Sequence, residues 1–292
     1  MSTKKFKSTD EQITLLQSRG LQISNLNDAR TFLYRNNYYR VSGYSLTLRN
    51  HDVFFKNAEF QNIVDIYEFD HDLRHILLKY IEIIEVTIKS IYAYEFSKRY
   101  GPTEYLNNCH FTNQIKHAEI IIKAEQQKKA RLPHEPYLKH FVEELNETIP
   151  LWAYVDLLTV SDISFLYSIS ELQLKNEVAQ AVGLKKQGSE LLGRFMHSIT
   201  IIRNLCAHGS RLYNRLFEQK PSLNKHEKQL LIVKADGTLD NAHLYGFVLI
   251  MKRLLEPNFF AMMKTEIIEL SAKYPFVDMK YYGFRNDWKS VL

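Results

Sequence analysis

Apolar residues recur at intervals of three and four along most of the chain. Leu73, Leu77, Tyr80, Ile84, Ile88 and Ile91 form one such stripe, and Gly101 with Pro102 ends it. That spacing predicts a helix over residues 70–99, roughly 45 Å long at about 1.5 Å per residue. Leu192, Phe195, Ile199, Ile202 and Cys206 form a second stripe that stops at Gly209. Pro150 is tolerated in a first turn, so it opens a helical stretch, "PLWAYVDLLTVSDISFLYS", expected to break near Val160 and Ser161. Ser170 is expected to cap a helix over 171–182, and Pro257 to separate helices over 240–255 and 258–274. Only 40–56 and 229–239, the latter containing "LLIVKADGTL", hint at extended structure. The polar stretch 125–140 reads as a charged helix end and loop. With 10 glycines and 7 prolines, the chain lacks the turn material of a β protein. The pattern predicts an all-α fold: a small N-terminal helical module at 1–56 packed on a helical core at 57–292.

Composition narrows the class. The 292 residues, 45% hydrophobic and 24% charged, are those of an ordinary globular protein. A net charge of +5 without a basic tail permits a nucleic-acid partner and does not require one. The 2 cysteines, Cys109 and Cys206, sit in dissimilar contexts with no CxxC, so neither a disulfide scaffold nor a zinc ribbon is read. His110, beside Cys109, has no ligand set around it; no metal or other cofactor is expected. The opening "MSTKKFKSTDEQ" has no apolar segment after its lysines, which argues against a signal peptide. The most apolar run, 244–255, is broken by Lys252 and Arg253, so no membrane span is expected and the location is read as cytoplasmic.

The chemistry concentrates in "IIRNLCAHGSRLYNR", residues 201–215. Arg203 borders the buried stripe. On an ideal helix His208 would point roughly 140° away from it, but a left-handed Gly209 lets the last turn open and the two converge. Arginine offers a planar fork of donors that fits phosphate oxygens, and histidine exchanges protons near neutral pH. RNA brings its own nucleophile, the 2′-hydroxyl, so such a pair needs no metal and no serine or cysteine. The plainer reading is that basic side chains at a helix C-terminus simply complement the dipole and bind free carbonyls.

The stretch "RNLCAHGSRLYNR" resembles the R-x4-H signature of the HEPN superfamily of RNases, and its extension resembles the abortive-infection (Abi) branch of bacterial phage defence. "NNYYRVSGYS" (36–45), "FDHDLRHILLKYIEIIEVTIKS" (69–90), "RYGPTEYL" (99–106) and "IPLWAYVDLLTVSDIS" (149–164) resemble the same family, in the expected order. The resemblance implies an HEPN-type helical bundle within 57–292 and Arg203 and His208 as catalytic pair. Asn204 would orient the site or donate to phosphate, and Arg211, Tyr213 and Asn214 would wall it. Glu85 shares its helix face with Arg74, Leu78, Ile81 and Ile88; such a carboxylate needs a partner, and Arg203 or Lys89 would serve, with Glu82 a second choice for Arg203. In "FLYRNNYYRVSGYSLTLR", Tyr34, Tyr38, Tyr39 and Tyr44 interleave with Arg35, Arg40 and Arg49. Packing is the favoured role of these rings, with Arg40 as an RNA contact; Lys128, Lys129 and Arg131 are a further candidate RNA-binding cluster.

The expected activity is metal-independent RNA cleavage by 2′-hydroxyl attack; the alternative is a non-catalytic RNA-binding module holding a structured non-coding RNA. In-line cleavage needs an acid and a base on opposite sides of phosphorus, and the motif supplies one histidine, so a homodimer is expected. HEPN toxins paired with nucleotidyltransferase antitoxins usually carry His-x-Tyr, whereas Gly209 and Ser210 come after His208 here; that partner is not indicated.

Overall fold

The first helical turn of the chain is fixed by a capping box: the Ser8 hydroxyl accepts from the Glu11 N–H, and the Glu11 carboxylate accepts from the Ser8 N–H. The computed structural model describes residues 5–185 and 188–292. Helices α1 (Thr9–Ser18), α2 (Leu26–Asn36) and α3 (Tyr38–Tyr44) lead into a two-stranded antiparallel hairpin, β1 (Arg49–Asn50) and β2 (Val53–Phe54), with Arg49 opposite Phe54 and Asn50 opposite Val53. Main-chain bonds from Gln22 N–H to the Ala58 carbonyl and from Phe60 N–H to the Gln22 carbonyl stitch these N-terminal elements to the start of the next helix.

That helix is α4, Phe60–Tyr100, 41 residues and so about 60 Å long. It starts ten residues before the predicted helix start at 70 and ends where predicted, at a Gly101 with φ +113°. Its stripe of Leu73, Leu77, Tyr80, Ile84 and Ile88 is buried, and Ile91 is partly so.

Around it lie α5 (Gln114–Arg131), α6 (Pro136–Lys139), α7 (Leu151–Tyr154), α8 (Val160–Ile169), α9 (Leu172–Ala181), α10 (Ser189–Ala207), α11 (Lys225–Lys228), α12 (Tyr245–Leu254), α13 (Pro257–Lys273) and α14 (Trp288–Val291). Helices α13, α10, α9, α7 and α3 pack directly on α4, and α10 packs in turn on α8, α9 and α12. Lys79 to Glu266 (2.6 Å) and Lys273 to Asp72 (3.0 Å) pin α13 along α4. The hydrophobic core runs without interruption from Ile13 to Leu292. The described residues are 66% helical with one small sheet among them, and the all-α expectation holds.

Three local expectations need correction. The break in the 150–168 stretch falls at Leu158, two residues early, because Thr159 and Asp162 form a capping box that starts α8. Ser170 does not cap α9: it is buried, donates to the Leu166 carbonyl and meets the Tyr92 hydroxyl at 2.9 Å. Pro257 is the first residue of α13 rather than a spacer before it, a position where its missing N–H costs nothing. The 229–239 stretch keeps only a single bridge, Val233 with Leu239.

Candidate functional site

Leu192, Phe195, Ile199, Ile202 and Cys206 turn one face of α10 into the core. That registration leaves Arg203 half-buried and Asn204 and His208 exposed. The helix closes with two reversed bonds, Gly209 N–H to the Cys206 carbonyl (3.0 Å) and Ser210 N–H to the Leu205 carbonyl (2.8 Å). This pairing requires a left-handed residue, and Gly209 has φ +62°. His208 caps the C-terminus of α10; its N–H reaches the Asn204 carbonyl at 3.0 Å, and its imidazole makes no hydrogen bond to any described residue. Arg40, from α3, donates through Nη2 to the Gly209 carbonyl and through Nε to the Tyr67 hydroxyl (3.2 Å). The side chain expected to touch RNA therefore caps the helix end, with Nη1 left free of hydrogen bonds to the described residues.

Arg203 and His208 share the last turns of α10 but do not touch through a hydrogen bond. Arg203 Nε lies 3.3 Å from Glu85 Oε1, an ion pair across α4 and α10. The alignment falls short of a hydrogen bond, and that buried oxygen accepts none. Of the two partners weighed for Glu85, Arg203 is the one within ion-pair distance. Burial pushes the Glu85 carboxyl above its usual range, and Arg203 and then Lys89 pull against it. Arg203 Nη1 also approaches Asn204 Oδ1 at 3.4 Å.

Residues 210–214 are fixed from beneath by a group that the sequence pattern did not single out. Asp70, fully buried on α4, accepts from the N–H groups of Leu212 (3.1 Å) and Tyr213 (2.9 Å) and from the hydroxyls of Tyr44 (2.8 Å) and Tyr282 (2.9 Å). Arg74, one turn on, is equally buried and pairs with the same carboxylate. Burial pushes the Asp70 carboxyl up, and Arg74 and the hydrogen-bond donors oppose it. The legible signal was an Asp and an Arg four apart on an otherwise apolar stripe.

The wall residues are placed by this clamp. Tyr213 is buried, its hydroxyl 2.7 Å from Thr47 Oγ1, and burial raises its pKa. Arg211 bonds the Tyr213 carbonyl, and Asn214, left-handed at φ +48°, donates its N–H to the Tyr281 carbonyl (2.9 Å).

The α5 cluster is less free than its sequence suggests. Lys128 pairs with Glu125; Arg131 donates to Glu135 and to the Asp156 carbonyl, each at 2.8 Å; Lys129 is exposed without an ion pair to a described residue. Burial holds Lys89, one turn from Glu85 on α4, below its usual range, and Glu85 and Asp156 pull against it. The Cys206 thiol is buried and pushed up to about 12, which removes it as a nucleophile. Among the described residues no cluster of three or more His, Cys, Asp or Glu could hold a metal, and no helix is long and apolar enough to cross a membrane.

These features define a class: an all-α protein with an exposed histidine and a tethered arginine at one helix end. Residues 31–214 match the family described as Abi-like protein, a span that runs from α2 through the clamped loop. The chain belongs to the Abi-like protein family, and that membership suggests a part in abortive-infection defence against phage. No curated protein and no solved structure matches it significantly.

Proposed function

We propose that this protein is a cytoplasmic, metal-independent endoribonuclease of abortive-infection phage defence, its site an HEPN-type Arg–His pair. The observation that carries the reading is the exposed His208 imidazole, without a hydrogen bond to any described residue where Gly209 closes the helix, on the same helix as an arginine paired with a partly buried carboxylate. His208 exchanges the proton with the 2′-hydroxyl or the leaving 5′ oxygen, and Arg203 neutralises the phosphorane. Asn204 donates to phosphate, Glu85 orients the guanidinium, and Arg211, Tyr213 and Asn214 set the wall. The N-terminal module, described from residue 5 to 56, buttresses the helix end through Arg40, and the core assigned to 57–292 carries the HEPN site. Arg40, Lys128, Lys129 and Arg131 contact RNA beyond the scissile bond. A homodimer brings two His208 side chains to one phosphate, and no nucleotidyltransferase antitoxin is invoked.

One feature favours a second reading, an RNA clamp without catalysis: nothing in the described chain fixes the tautomer of His208, as a carboxylate or carbonyl does for most catalytic histidines. Incubating labelled total RNA with EDTA, wild type against His208→Ala, tests both. Cleavage lost in the variant supports the nuclease; binding without cleavage supports the clamp.

A further inference from the structure

Asn37, with φ 60° and ψ 127°, breaks α2 from α3 and turns the chain so that tyrosines from both helices face one cavity. The cavity is about 1090 Å³ and open to solvent on the side of α3 away from the α10 end. Arg40 and Gly43 face that helix end, and Tyr38, Tyr39 and Ser42 face the cavity. Tyr34 is 82% exposed and Tyr39 64%, and Phe6, which also lines the cavity, is 90% exposed. Of the four tyrosines expected to pack, Tyr44 is buried in the core and Tyr38 packs partly against it, whereas Tyr34 and Tyr39 remain exposed.

Among the described lining residues cations outnumber acids: Lys5, Lys7, Arg19 and Arg49 face one carboxylate, Asp52, which is already shared by both arginines at 3.0 and 3.3 Å. Arg49 Nε and Gln12 Oε1, in two lining residues, are buried without a hydrogen-bond partner. Flat aromatic faces beside surplus cations match unpaired bases on a phosphate backbone, because every base has a face to stack and every linkage a negative charge. An acidic peptide would satisfy the cations and leave the rings idle.

We propose that this groove is a second site, separate from the Arg203–His208 end, that binds single-stranded RNA by stacking bases on Tyr34 and Tyr39. It stands whether or not the helix end cleaves, so the test uses full-length His208→Ala protein. Fluorescence anisotropy tracks a 5′-fluorescein oligouridylate of about twelve nucleotides. Adding Tyr34→Ala and Tyr39→Ala, both at exposed positions, raises Kd about tenfold or more, while Tyr34→Phe with Tyr39→Phe leaves it nearly unchanged. Lys5→Gln and Lys7→Gln each flatten the slope of log K against log salt by about 0.7. The proposal is overturned if the double alanine protein binds as tightly as its parent, if duplex RNA binds as well as single strand, or if polyglutamate displaces the oligonucleotide at equal charge.

Discussion

Arg203 and His208 make different demands on their surroundings, and substitution should separate them from the fold. Arg203→Ala and His208→Ala are each expected to lower RNA cleavage by about 10²-fold or more, with melting temperature little changed. Activity and thermal melts on the same preparation check this; a fully active His208→Ala protein refutes the catalytic role. Glu85 gives a pH signature. Its folded pKa lies above the unfolded value, so the fold binds the extra proton; its contribution is fully present below the unfolded pKa and lost as pH rises through the folded one. Glu85→Gln should therefore gain stability relative to wild type as pH is raised from 4 towards 7, read as a growing difference in melting temperature. Asp70 behaves oppositely on deletion. Asp70→Ala strands Arg74 and two backbone donors and should cost about 3–5 kcal/mol in urea unfolding.

Among elements, the helices with a regular stripe were the legible ones. Leu73 to Ile88 announced α4, and Leu192 to Cys206 announced α10 with its stop at Gly209, because a buried face repeats every three or four residues. Caps were harder: Thr159 and Ser170 each have a capping-box partner three residues on, Asp162 and Gln173, and what separates them is tertiary, since Ser170 is buried with its hydroxyl engaged by the Leu166 carbonyl and Tyr92. The Arg–His pair was visible as a motif. Its supports came from far along the chain, Arg40 and Asp70 lying 169 and 142 residues from the groups they bond, and no local spacing encodes such meetings. The end of α10 also carries its own prediction. Gly209→Ala forces a side chain into φ +62° and places Cβ 3.3 Å from Arg40 Nη2, so it should destabilise by about 1–2 kcal/mol and lower cleavage at temperatures where the fold persists.

For the molecule as a whole, the chemistry proposed for the site dictates what it leaves behind. Attack by the 2′-hydroxyl yields an upstream 2′,3′-cyclic phosphate and a downstream 5′-hydroxyl, and end-labelling that finds 5′-phosphates overturns that mechanism. Mixing His208→Ala with wild type should poison activity beyond simple dilution if two copies build one site. The bond from Arg40 to the Gly209 carbonyl bears on birth as well as shape. A ribosome adding about 5–20 residues per second makes Arg40 on the order of ten to thirty seconds before Gly209. Until then the N-terminal helices have no helix end to hold, and the histidine has not been synthesised. Under the proposed cleavage, a nascent chain would therefore leave its own message uncut until Gly209 and His208 have been made and Arg40 has closed on that helix end.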